Sequence, residues 1–121
     1  MTHPLQAVLE QVGPSSCPTT HNFHCHTICS DGSLEPLELI QQATERGLKH
    51  LAVTDHHSSH AHREIKAWLD QQRASGVEVP TVWSGMEISA LLKGCLVHVL
   101  ALGFELNHPA LQPYNLSLIH I

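Results

Sequence analysis

Residues 48–54, LKHLAVT, form a β-like and largely apolar run that stops abruptly at Asp55-His56-His57. A strand that is apolar on both faces belongs inside a sheet covered on both sides, the habit of parallel strands in α/β folds. The polar cluster then falls at the strand's C-terminal end, where such folds gather their chemistry. Neighbouring segments fit the same plan. HNFHCHT, 21–27, alternates so that a strand there places Asn22, His24 and His26 on one face and Phe23 and Cys25 on the other. The polar turn ICSDGS leads into a helix with Ser33 as its cap, a buried stripe of Leu37, Ile40, Ala43 and Thr44, and a stop at Gly47. A second helix is predicted from about His60 to Ala74, on the spacing of Ile65, Trp68, Leu69 and Gln72, with Gly76 near its stop.

VEVPTVWSGMEIS reads as a third strand, irregular at Pro80 and carrying Glu87 at its end. LVHVLALGF is a fourth, joined to the third through a hairpin-like Lys93-Gly94 turn. Residues 1–20 hold one short helical pattern (Leu5, Val8, Leu9, Val12) and a Gly-Pro-Ser-Ser-Cys-Pro breaker, and form an N-terminal extension to a domain over 21–114. The tail 115–121 changes character abruptly after Pro113, which predicts a truncation or frame junction near Tyr114. The class is therefore α/β. A closed α/β barrel needs roughly 250 residues, so four strands make either a small open sheet or part of a barrel.

Twelve histidines among 121 residues is the compositional outlier. A net charge of −5 suits metal cations better than a duplex nucleic acid, whose phosphates call for a basic surface. No run approaches the roughly 18 to 20 apolar residues of a membrane span, and no basic-then-apolar leader opens the chain, so the expected compartment is the cytoplasm. The four cysteines lack a CxxC pair and are expected as thiols.

His24 and His26 point the same way from one strand, about 7 Å apart at roughly 3.3 Å per residue, so two imidazoles can converge on one ion. Asp31, His56, Glu87 and His98 add nitrogen and oxygen donors at separate strands, a mixture that borderline divalent ions favour. Each also has a plainer reading. Asp31 before Gly32 is a common turn former, Asp55-His56 can cap a helix, and a lone strand histidine such as His98 can bond to backbone. Glu87, between Met86 and Ile88, is costly to leave unpaired. His57, next to Asp55-His56, is a candidate proton donor. His60 and His62 read as part of a loose surface chelator with His56 and His57, or as solvent-facing. Arg63 and Lys93 are the nearest cations by sequence position, read as solvent-facing, and stay outside the site. The spacing of Cys25, Cys29 and Cys95 is wrong for a structural zinc site.

The set FHCHTICSDGSLEP, GLKHLAVTDHH, WSGMEIS and CLVHVLALGF resembles, in order and spacing, the N-terminal motifs of the PHP (polymerase and histidinol phosphatase) family of metal-dependent phosphoesterases, over about Asn22 to Leu111. Within the family the chain is most similar to the stand-alone bacterial branch that includes nucleotide and oligonucleotide phosphatases. The resemblance implies the N-terminal half of a distorted (β/α)7 TIM-like barrel holding up to three divalent ions, Mn2+, Zn2+ or Fe2+. It implies that His24 and His26 hold one ion, that Glu87 bridges it to a second bound by His98, and that Asp31 and His56 hold the third. Asp55 then orients a ligand or a water from behind. The substrate implied is a phosphorylated small molecule, a nucleotide or an oligonucleotide, attacked by metal-activated water. The family pattern adds a histidine or cysteine and an Asp-x-His pair from its C-terminal half. None is visible here, and His108 and His120 lie outside the matching motifs. A non-catalytic metal-binding module and a fragment unable to fold alone are the rival expectations.

Overall fold

The computed structural model describes residues 2–114 and 119–120, with side chains from 2 to 111. The tail beyond Tyr114 otherwise lies outside the described residues. Among those described, no helix is long and apolar enough to cross a membrane. The elements run α1 (Pro4–Glu10), β1 (His21–Cys25), α2 (Pro36–Glu45), β2 (His50–Val53), α3 (Ala61–Ala74), β3 (Thr81–Trp83), β4 (Gly85–Leu92), β5 (Cys95–Leu102), a 3-10 turn (Pro109–Tyr114) and β6 (Ile119–His120). Strands β1, β2 and β3 form a parallel sheet in that spatial order, and β4 lies between β5 and β6 in a second sheet.

The apolar run is the central strand, as its composition demands. Leu51, Ala52, Val53, Thr54 and Asp55 are all buried. Leu51 and Val53 pack on Ile40 and Ala43 of α2 and on Ala61, Ile65 and Leu69 of α3. Burying such side chains contributes about 1.5–3 kcal/mol each, so this helix-covered face is the main source of stability. Cys25 points into the core side of β1 and donates to the Ala52 carbonyl at 3.4 Å. Burial, reinforced by the charge of Asp55, pushes its thiol up to about 12, so it stays protonated.

Four expectations change in detail. Helix α2 starts on Glu35 rather than Ser33: Pro36 takes the first turn and the Glu38 carboxylate accepts the Glu35 N–H at 3.0 Å. Leu37, expected in the buried stripe, is exposed, and Pro36 is buried instead. The predicted third strand is two strands, broken at Ser84. Residues 81–83 join the parallel sheet, whereas 85–92 leave it to pair with β5. Glu87 therefore lies within a strand and not at the end of one. The connection of β4 to β5 is the tight hairpin expected, Leu92 facing Cys95 across Lys93 and Gly94, both at positive φ. The N-terminal segment also packs against the rest. Leu5 is buried, and His3 Nε2 lies 2.7 Å from the Gly103 carbonyl.

His62 is the fourth. It is 4% exposed on α3, with Nε2 2.9 Å from the Val53 carbonyl oxygen and 3.3 Å from that of Gly85, so that Nε2–H donates to the sheet backbone. It ties helix to sheet and is no surface chelator. Burial lowers its pKa below the ordinary 6.5, outweighing the opposing pull of the Val53 and Gly85 hydrogen bonds and the Asp55 charge. An imidazole so shifted binds fewer protons folded than unfolded, so stability rises with pH. The destabilisation is absent well above the unfolded value of 6.5 and grows as pH falls through it towards the lower folded value. Urea midpoints at about pH 7.5 and about pH 5.5 are expected to differ more for wild type than for His62→Gln. Equal slopes in the two proteins would remove His62 from this account.

Candidate metal centre

The site is assembled where β1 and β2 end. The chain leaves β1 through His26-Thr27 and turns through Ser30-Asp31-Gly32, and it leaves β2 through Asp55-His56-His57. Strand β4 then crosses the end of β2. The Glu87 N–H donates to the Asp55 carbonyl and the His57 N–H to the Glu87 carbonyl, both at 3.1 Å, so His56 and Glu87 form a parallel bridge. The crossing is close. A Cβ on Gly85 would sit 2.6 Å from the Val53 carbonyl oxygen, which is why glycine stands there. Gly32 is equally constrained: a Cβ would collide with the His26 carbonyl, so this loop can close onto His26 only with glycine beside Asp31.

This framework points three imidazoles at one carboxylate. Glu87, 6% exposed, has Oε1 3.1 Å from His24 Nε2, and Oε2 3.0 Å from His56 Nε2 and 3.4 Å from His26 Nε2. On the open side, exposed Asp31 reaches His26 Nδ1 at 2.9 Å and His56 Nε2 at 3.1 Å. Desolvation raises the Asp31 carboxyl, but His26 and His56, with hydrogen bonds from its own backbone and from His56, outweigh it and hold the carboxyl below its usual value. His98 arrives from β5, its ring 5.8 Å from that of His56.

Three overlapping groups result: His24, His26 and Glu87; His26, Asp31 and His56; His56, Glu87 and His98. In each, one nitrogen or oxygen per residue lies within 4.8 Å of the others. Three converging donors of mixed imidazole and carboxylate type suit a borderline divalent cation, so these residues fit such an ion. All six residues singled out as ligands from the sequence thus come together. His24 and His26 do meet on one side, although His26 lies just past the end of β1.

The other two candidates stand behind the groups. Asp55 is 1% exposed, and its Oδ1 accepts from the Thr27 N–H at 2.6 Å and the Ser30 hydroxyl at 2.7 Å, while Oδ2 accepts from the Thr27 hydroxyl at 2.7 Å. It anchors the loop that carries His26 and Asp31. His57 has φ 49°, and its Nε2 accepts the Ser89 N–H at 2.9 Å, the place a ladder carbonyl would fill had β2 continued. That nitrogen is occupied as an acceptor. Thr27, Ser30 and Ser89 were missed from the sequence, although Thr27 and Ser30 stand inside His-Thr-x-x-Ser-Asp-Gly. His108 lies elsewhere, its Nδ1 accepting the Ala110 N–H at 3.1 Å. The His120 side chain is outside the described residues.

A family model described as the PHP domain matches residues 22–118. Among curated proteins, a 5'-3' exoribonuclease of Haemophilus influenzae is 33% identical over 90 residues, covering 74% of this chain and 30% of the relative. A phosphoribosyl 1,2-cyclic phosphate 1,2-diphosphodiesterase of Eggerthella lenta is 36% identical over 93 residues, 74% of this chain and 33% of that protein. The chain thus spans about a third of the length of the curated relatives it matches. A solved structure from Bifidobacterium adolescentis, provisionally assigned as a metal-dependent phosphoesterase, superposes with a TM-score of 0.65 at 28% identity, over 79% of this chain and 32% of that one.

Proposed function

This chain belongs to the PHP domain family, and on that premise we propose that it carries the metal-binding portion of a phosphoesterase that hydrolyses phosphate esters of the nucleotide or oligonucleotide class. The observation that carries the reading is the sharing of His26, His56 and Glu87 among three donor groups. Shared ligands hold neighbouring ions at short separation, the arrangement used for in-line attack at phosphorus. The exoribonuclease and cyclic phosphodiesterase names of the relatives support a ribose-linked phosphate as substrate. The finer view of the fold, that β1–β3 with α2 and α3 form the opening part of a distorted (β/α)7 barrel, is supported by three parallel strands in sequential order.

In this reading His24, His26 and Glu87 hold one ion, Glu87 and His98 with His56 a second, and Asp31 and His56 with His26 a third, the ions being Mn2+, Zn2+ or Fe2+. Divalent ions there supply Lewis acidity, activating water and offsetting charge on the phosphoryl oxygens. The protein's own part is orientation. Asp55 holds the Thr27–Ser30 loop, His57 holds Ser89 and with it the Glu87 strand, and exposed Asp31 leaves the site open towards the substrate side.

The full-length gene product, stripped of metal by chelation and then given Mn2+, Zn2+ or Fe2+ singly, tests this against a panel of phosphomonoesters, cyclic phosphodiesters and 5'-phosphorylated oligoribonucleotides. Hydrolysis restored only by an added ion is the expected result. Bound ion with no hydrolysis of any ester would favour the metal-binding module instead, and full turnover by rigorously stripped protein would overturn the metal dependence.

A further inference from the structure

The hairpin carries a polar contact that the ligand groups do not use. Ser89 on β4 and His98 on β5 are register partners, and the Ser89 hydroxyl oxygen lies 3.0 Å from His98 Nδ1. Strand alternation puts Leu96 and Leu100 on the same face as His98, and neither side chain has a polar atom to orient the ring. Ser89 itself is held firmly, through its N–H to His57 Nε2 and through a ladder that runs the length of β4. We propose that Ser89 is a positioning residue whose hydroxyl oxygen accepts from His98 Nδ1–H and so leaves Nε2 as the nitrogen offered to a divalent ion.

The argument is one of proton placement. A neutral imidazole carries one N–H, and only the other nitrogen has an electron pair for a cation. When His98 Nδ1–H donates to the Ser89 oxygen, Nε2 is left bare and aimed by the same hydrogen bond. This is the part that a hydrogen-bonded partner plays for a ligating histidine, and its loss typically costs about 10–100-fold in ion affinity. The inference rests on the metal-centre reading above.

Two measurements on the full-length gene product test it. In metal-free wild type under alkaline conditions, nitrogen-15 shifts of His98 are expected to report the Nδ1–H tautomer. In chelator competition with Zn2+ or Mn2+, Ser89→Ala is expected to weaken binding by about tenfold, with Ser89→Thr, which keeps the hydroxyl, restoring it. An Nε2–H tautomer in wild type, or Ser89→Ala binding as tightly as wild type, overturns the role of Ser89 while leaving the metal centre standing. Wild-type protein that takes up no ion overturns the centre and this role together.

Discussion

Glu87→Gln is expected to remove at least one bound ion and to lower ester hydrolysis by more than about 100-fold, beyond the loss typical of a residue that merely supports a ligand. Both carboxylate oxygens are engaged by imidazoles, Oε1 by His24 and Oε2 by His26 and His56. Two of the three donor groups include Glu87. An amide offers one acceptor oxygen in place of two and sets N–H donors where a cation needs a lone pair. The substitution preserves size, so unfolding of the metal-free variant can be followed separately from its ion content. Metal content by mass spectrometry, read beside the unfolding curve, separates a lost ligand from a lost fold. A variant that keeps wild-type ion content and turnover would show that Glu87 is only a buried ion-pair partner.

Asp55→Ala is expected to have the largest effect on stability, about 3 kcal/mol or more. The carboxylate is almost fully buried and accepts three hydrogen bonds from Thr27 and Ser30. Removing it leaves one backbone N–H and two hydroxyls searching for partners, and each buried group left unsatisfied costs about 1–3 kcal/mol. The damage should spread to the centre, because Ser30 also lies 3.4 Å from His26 Nδ1 and the anchored loop carries Asp31. Urea unfolding gives the magnitude. A change below about 0.5 kcal/mol, the range of an ordinary surface substitution, would mean that water satisfies the loop and Asp55 is no anchor.

How much of this was readable in advance depends on how local the cause was. The apolar character of 51–53 announces a strand buried on both faces, because a parallel strand under helices has no solvent side to accommodate. The stops at Gly47 and Gly76 are equally local: the Leu48 N–H bonds to the Ala43 carbonyl and the Val77 N–H to that of Gln72, closing each helix in the same way. The cap at Glu35 was masked by Ser33, a better capping residue type whose place one turn-step too early only the position of Pro36 corrects. The break at Ser84 had no pattern to mark it, since 81–92 is β-like throughout and only the close passage at Gly85 divides it. His62 looked like one more polar residue in a histidine-rich stretch. Its burial comes from two backbone partners at Val53 and Gly85, 9 and 23 residues away.

Residue order alone therefore dictates the α/β alternation, the buried central strand and the stock of imidazoles and carboxylates, because periodicity and chemical type act over a few neighbouring positions. The gathering of His24, His26, Asp31, His56, Glu87 and His98 into shared groups belongs to the folded chain. It depends on β4 crossing the end of β2 and on the β4–β5 register, contacts between segments far apart in sequence whose geometry no local pattern encodes. The same crossing turns Glu87 from a costly carboxylate in an apolar strand into the partner of three histidines, and places Ser89 opposite His98.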